Sequence, residues 1–176
     1  MKRRALLATL AGGTAVVAGC ATDGNQTPTR REVFNPTGRA IIRPLDEPLV
    51  RQGLTAGSGQ YMYARLFEPG DSLAVTDGPD ASALAATVDD LTDQQFALLT
   101  SLRTAGAAPA HFWPTNAEWN DGRLRVELER QTVSTDPEAA EVVGVALTVY
   151  DVTGEVPGGA DVVFPSGAVL QVGTGR

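Results

Sequence analysis

Residues 120–129, Asn120-Asp121-Gly122-Arg123-Leu124-Arg125-Val126-Glu127-Leu128-Glu129, decide the fold. Asn120-Asp121-Gly122 carries turn chemistry, and from Arg123 onward every second residue is apolar. Leu124, Val126 and Leu128 share one face. Arg123, Arg125, Glu127 and Glu129 share the other. A period of two with one dry and one wet face marks an antiparallel strand on a half-solvated sheet.

Working outward, the segments on either side repeat this short-strand pattern. Thr135-Asp136-Pro137 turns the chain. Val142 to Val152 follows, with Val143, Val145, Leu147 and Val149 on one side and an apolar opposite side, which suits a central strand covered on both faces. Pro157-Gly158-Gly159 turns again. Val162–Phe164 and Ala168–Val172 flank Pro165-Ser166-Gly167 and read as a closing hairpin. Upstream, Ala40-Ile41-Ile42 is a short strand stopped by Pro44. Gln60–Glu68 alternates as a strand, Pro69-Gly70-Asp71 is a turn, and Leu73–Thr76 reads as a returning second strand.

Helix signals are few. Asp80 reads as the cap of a short helix over Ala81–Val88, in which Leu84 and Val88 lie one turn apart. Residues 92–105 carry two patterns. Thr92 with Gln95 makes a capping box, Leu91 with Phe96 a hydrophobic staple, and Gly106 a C-terminal stop, which favours a helix. Phe96, Leu98, Thr100 and Leu102 also alternate at period two, which is the strand reading. The fold class predicted is α+β and β-rich: an antiparallel sheet or sandwich with one or two short helices, in a single domain over residues 39–176.

The amino terminus has a different character. Lys2, Arg3 and Arg4 precede an uncharged apolar run from Ala5 to Ala18. Fourteen residues are too few to span a hydrocarbon core of about 30 Å as a helix, and the length suits the apolar region of a signal peptide. The run ends in Val17-Ala18-Gly19-Cys20, which resembles the lipobox of prokaryotic lipoproteins. The resemblance implies cleavage before Cys20, a thioether lipid on its sulfur, and an anchor on the extracytoplasmic face of the cell membrane. Cys20 is the only cysteine, so the chain offers it no disulfide partner. Arg3-Arg4 followed by apolar residues resembles a twin-arginine export signal, with the general secretion route as the alternative. Residues 20–38 are polar and contain two prolines, which reads as a tether; Asn25-Gln26-Thr27 within it is a glycosylation sequon.

Composition excludes several classes of function. The formal charge is −7, and removal of Lys2, Arg3 and Arg4 with the leader makes it −10. The remaining arginines are scattered among acids, so no nucleic-acid partner is expected. Lys2 is the only lysine. An acidic chain without further lysine resembles exported lipoproteins of halophilic archaea, although a lysine-poor codon bias gives the same depletion. From residue 123 onward the strand order is similar to the small β domains of exported lipoproteins and of protease-complex accessory subunits, a likeness that carries over no functional residue. One histidine and one cysteine leave no set of soft ligands for zinc, copper or haem, and no cofactor is expected. Asp77, Asp80, Asp89, Asp90 and Asp93 could supply calcium oxygens, without the spacing of a calcium-binding loop.

The distinctive stretch is Ala110 to Trp119, AHFWPTNAEW, with both tryptophans and the only histidine. His111, Trp113 and Trp119 read as a ligand platform with Glu118 as a polar handle, or as a core-edge cluster covering the sheet. Tyr61 and Tyr63 offer a second aromatic row. The function expected is a lipid-anchored surface domain with a non-enzymatic binding or envelope-structural role, toward a surface protein or carbohydrate. The alternative is an exported hydrolase using carboxylates near His111 and the Trp113/Trp119 cluster.

Overall fold

The structure, a computed structural model, describes residues 36–120, 123–134 and 138–173. Arg3, Arg4, Cys20, Asn25 and most of the tether lie outside these residues, as do Asp121-Gly122 and the Thr135-Asp136-Pro137 turn. Among the described residues, β1 (Thr37–Pro44), β2 (Met62–Phe67), β3 (Gln95–Ala105) and β6 (Glu141–Asp151) form one sheet in the order β1-β6-β3-β2. The second sheet has β4 (Ala110–Asn120), β5 (Arg123–Thr132), β7 (Gly159–Val163) and β8 (Val169–Gly173), in that order. Among the described residues one helix, α1 (Pro79–Asp89), completes the α+β, β-rich architecture.

The first sheet is the middle of three layers, and its sequence shows why. Tyr150 on β6 and Val152 just past its end join the core between the sheets, while Val143, Val145 and Leu147 join a second core under α1. On β3, Phe96, Leu98 and Leu102 face the second sheet, and Ala97 and Leu99 face the helix. Strands buried on both sides must be apolar at successive positions. The second sheet covers one side only. Leu124, Val126 and Leu128 of β5 are buried, while the residues between them face outward, as the period of two requires. A Val, Leu or Phe buried in this way contributes about 1.5–3 kcal/mol of transfer free energy.

Three local readings are corrected. Residues 92–105 are not a helix; Gln95–Ala105 is the strand β3. The capping hydrogen bond itself forms, with the Thr92 N–H donating to Gln95 Oε1 at 3.2 Å, but it closes a turn ahead of the strand. Pairing with β6 from Gln95↔Asp151 to Ala105↔Glu141 then outweighs the local helix signal. Leu73–Thr76 does not return beside β2. Val75 makes only an isolated bridge to Val50, and the Thr76 N–H donates to the Leu49 carbonyl at 3.0 Å. Asp80 is not the helix cap. Gly78 holds that position, Pro79 opens the helix, and Asp80 reaches Arg43 at 2.8 Å.

The closing hairpin forms as β7 and β8, paired antiparallel. Its attachment to β5 is parallel, from Leu124↔Ala160 to Glu127↔Val163. Arg123 secures this seam. Its Nε donates to Asp161 Oδ1 at 2.9 Å, and its Nη2 donates to the carbonyls of Ala160 at 3.1 Å and Val172 at 3.4 Å. The two sheets approach closely where Gly144 of β6 lies against β4. A Cβ at Gly144 would collide with the Ala110 carbonyl.

Candidate functional site

The stretch from Ala110 to Trp119 is the edge strand β4, and one irregularity divides it. Register with β5 shifts between Pro114 and Asn116, which leaves Thr115 as an extra residue in a β-bulge. Ahead of the bulge, Ala110, Phe112 and Pro114 are buried, so His111 and Trp113 stand on the outer face. After it the alternation restarts: Ala117 and Trp119 pack against the inter-sheet core, while Asn116 and Glu118 are exposed. The sequence-predicted platform is therefore split. His111 and Trp113 remain together, and Trp119 is on the opposite side of the sheet.

On the outer face the His111 and Trp113 rings meet edge to face, with centroids 6.1 Å apart and planes at 77°. His111 Nδ1 is 3.2 Å from the Phe112 carbonyl oxygen, an acceptor, so Nδ1 is the donor of that contact. Across the strand pair, His111 is opposite Gln131 and Trp113 opposite Glu129. The flanking polar groups bond one another. Gln131 Nε2 donates to Glu129 Oε1 at 2.7 Å, Asn116 Nδ2 donates to Glu118 Oε1 at 2.7 Å, and Arg125 pairs with Glu127 at 3.5 Å. The face thus presents two aromatic rings in a field of ordered amide and carboxylate groups, which suits the stacking and multiple hydrogen bonding of a polyhydroxyl ligand.

The second aromatic pair does not form a row. Tyr61 is 63% exposed, and the Arg103 guanidinium lies over its ring at 5.5 Å. Tyr63 packs against the core under α1. The aspartates do not gather either. Among the described residues no three His, Cys, Asp or Glu side chains converge as metal ligands, and Asp80 is taken by Arg43.

Two concavities accompany these surfaces. One, of about 390 Å³, lies beside the start of α1, between Arg43, Asp46, Glu47, Thr76 and Asp77. The other, of about 350 Å³, opens between the two sheets at the end where β3 and β5 run out. Met62, Leu102, Phe112 and Phe164 form its apolar walls, and the Phe112 and Phe164 rings meet edge to face at 5.0 Å. Arg103, Thr104, Arg130 and Ser166 supply its polar side chains. None of His111, Trp113 and Trp119 lines either concavity.

Arg103 is committed elsewhere. Its Nε and Nη2 donate to the two carboxylate oxygens of Glu141 at 3.0 and 2.6 Å, a fork that holds Glu141 below the usual carboxylate range and raises Arg103 above its ordinary value. Sequence reasoning did not single out Arg130 or Thr104. The available signal was the end of each inward series. Leu124, Val126 and Leu128 are followed by Arg130, and Phe96, Leu98, Thr100 and Leu102 by Thr104. A polar residue at the next inward position marks the point where the sandwich opens.

Comparison with protein-family models, with curated proteins and with solved structures gives no match to this chain.

Proposed function

We propose that this protein is a lipid-anchored, cell-surface binding domain whose ligand surface is the outer face of β4 and β5. The observation that carries the reading is the outward placement of His111 and Trp113 on a sheet whose other polar groups already bond one another. A rigid sheet face holds such rings without a further ordering cost, and exposed aromatic side chains supply most of the contact energy at binding surfaces. The ligand class that fits is a surface carbohydrate, with the tryptophan face against a sugar ring and Glu129, Gln131 and Asn116 around it.

The anchor rests on the sequence from Lys2 to Cys20. Two acyl chains hold a protein stably where one does not, and the lipid implied by the lipobox resemblance carries at least two.

Two measurements test the two halves. Membrane fractionation with intact-mass analysis should find the native chain lipidated and membrane-bound, and a Cys20→Ser variant released; unchanged partitioning of the variant rejects the anchor. A glycan array probed with the Cys20→Ser chain should show retention that Trp113→Ala removes and Tyr61→Ala leaves in place. Retention that survives Trp113→Ala rejects the surface.

A further inference from the structure

At the rim of the cleft between the sheets stands an exposed guanidinium, Arg130, that no carboxylate among the described residues engages. Arg130 occupies an inward position of β5, following Leu124, Val126 and Leu128, and is opposite Phe112 on β4. Its Nη2 has a single long contact, to the Ala108 carbonyl at 3.4 Å, and among the described residues no carboxylate lies within ion-pair distance of it. This is notable in a chain with 21 acids against 14 bases. Arg103, the other guanidinium at the cleft, is saturated by Glu141.

Thr104, the last inward residue of β3, lines the cleft and has its hydroxyl oxygen buried without a hydrogen-bond partner among the described residues. The walls between these polar groups are Met62, Leu102, Phe112 and Phe164.

We propose that this cleft binds a small amphiphilic carboxylate of the medium-chain fatty-acid class. The apolar tail lies between the sheets against Leu102, Phe112 and Phe164. The carboxylate meets the Arg130 guanidinium, whose planar fork matches two carboxylate oxygens. A volume of about 350 Å³ sits at the small end of the usual range for ligand pockets, about 300–1,000 Å³, and favours one short chain over a diacyl lipid.

The test is calorimetric titration of decanoate, below its micellar range, into the full chain carrying Cys20→Ser, so that no attached lipid competes. One saturable site is expected. Arg130→Gln, at an exposed position, should weaken it about tenfold while leaving the melting curve in place. Ala108→Trp, which fills the mouth from the surface, should abolish it. Decanol and decyltrimethylammonium, with the same tail and a neutral or cationic head, should bind at least about tenfold more weakly than decanoate. No saturable binding, equal affinity for decanol, or an Arg130→Gln variant that binds as tightly as the parent overturns the proposal.

Discussion

Tyr150 lies flat against Phe96 across the β3–β6 pair, with ring centroids 4.8 Å apart and planes 7° from parallel. The stack is buried in the inter-sheet core, yet the Tyr150 hydroxyl has no hydrogen-bond partner there among the described residues. The Thr148 hydroxyl lies near enough to favour the ionised phenolate by hydrogen bonding, but in the folded chain it donates to the Leu98 carbonyl at 3.3 Å.

Removing that hydroxyl should therefore stabilise the fold. Tyr150→Phe keeps the stack, deletes an unpaired polar atom, and is expected to raise the unfolding free energy by about 1 kcal/mol in a urea titration at pH 7. Tyr150→Ala deletes the stack as well and should cost about 3–5 kcal/mol. The pH dependence follows the same logic. Burial pushes the phenol above its ordinary value, so the folded state keeps its proton while the unfolded chain loses it. The contribution is complete below about pH 10 and is lost as pH rises beyond it. The parent should lose stability above pH 10 more steeply than Tyr150→Phe.

The Arg103–Glu141 fork predicts the opposite dependence, at acid pH. Glu141 has its folded pKa lowered by the Arg103 hydrogen bonds, so its stabilisation is present above the ordinary carboxylate value, about 4.3, and is lost as pH falls through the folded value. Glu141→Gln should be less stable than the parent at pH 7, and the gap should close by pH 3. Urea midpoints at the two pH values decide it.

Gly144 tests the contact between the sheets. Gly144→Ala sets a methyl against the Ala110 carbonyl and should destabilise by about 1–3 kcal/mol through overpacking. Gly57→Ala, where an added Cβ would meet nothing within 4 Å, should change the melting midpoint little. Thermal melts of the two variants make the comparison.

The two tryptophans should separate cleanly. Trp119 packs against the core on one side of the bulge, and Trp113 stands on the outer face on the other. Trp119→Ala is expected to cost about 2 kcal/mol or more in stability, and Trp113→Ala less than about 1 kcal/mol. Similar losses at both positions would mean that the outer ring is also structural.

The strands most legible from sequence were those with one decisive period. Leu124, Val126 and Leu128 alternated with charged residues, and Val142–Val152 was apolar on both faces, so β5 and β6 could be read directly. At Thr92 and Gln95 the helix signal was a real hydrogen bond in the service of a different structure, because a local pattern does not reveal a partner strand 46 or more residues away. The aromatic stretch was singled out for its composition, but its division was hidden. A bulge at Thr115 has no reliable sequence mark, and it alone determines that Trp113 and Trp119 face opposite ways. Arg130 and Thr104 were harder still, since they matter only because two sheets diverge around them.

The route of β6 has a consequence for how the chain reaches this form. After β5 the chain leaves one sheet, crosses to become an interior strand of the other, and returns as β7 to lie parallel beside β5. Neither sheet can therefore be finished while the other waits, and no cut between them would release an autonomous half. Assembly must proceed as one cooperative event, governed by closure of long loops, which is slow relative to hairpin zipping.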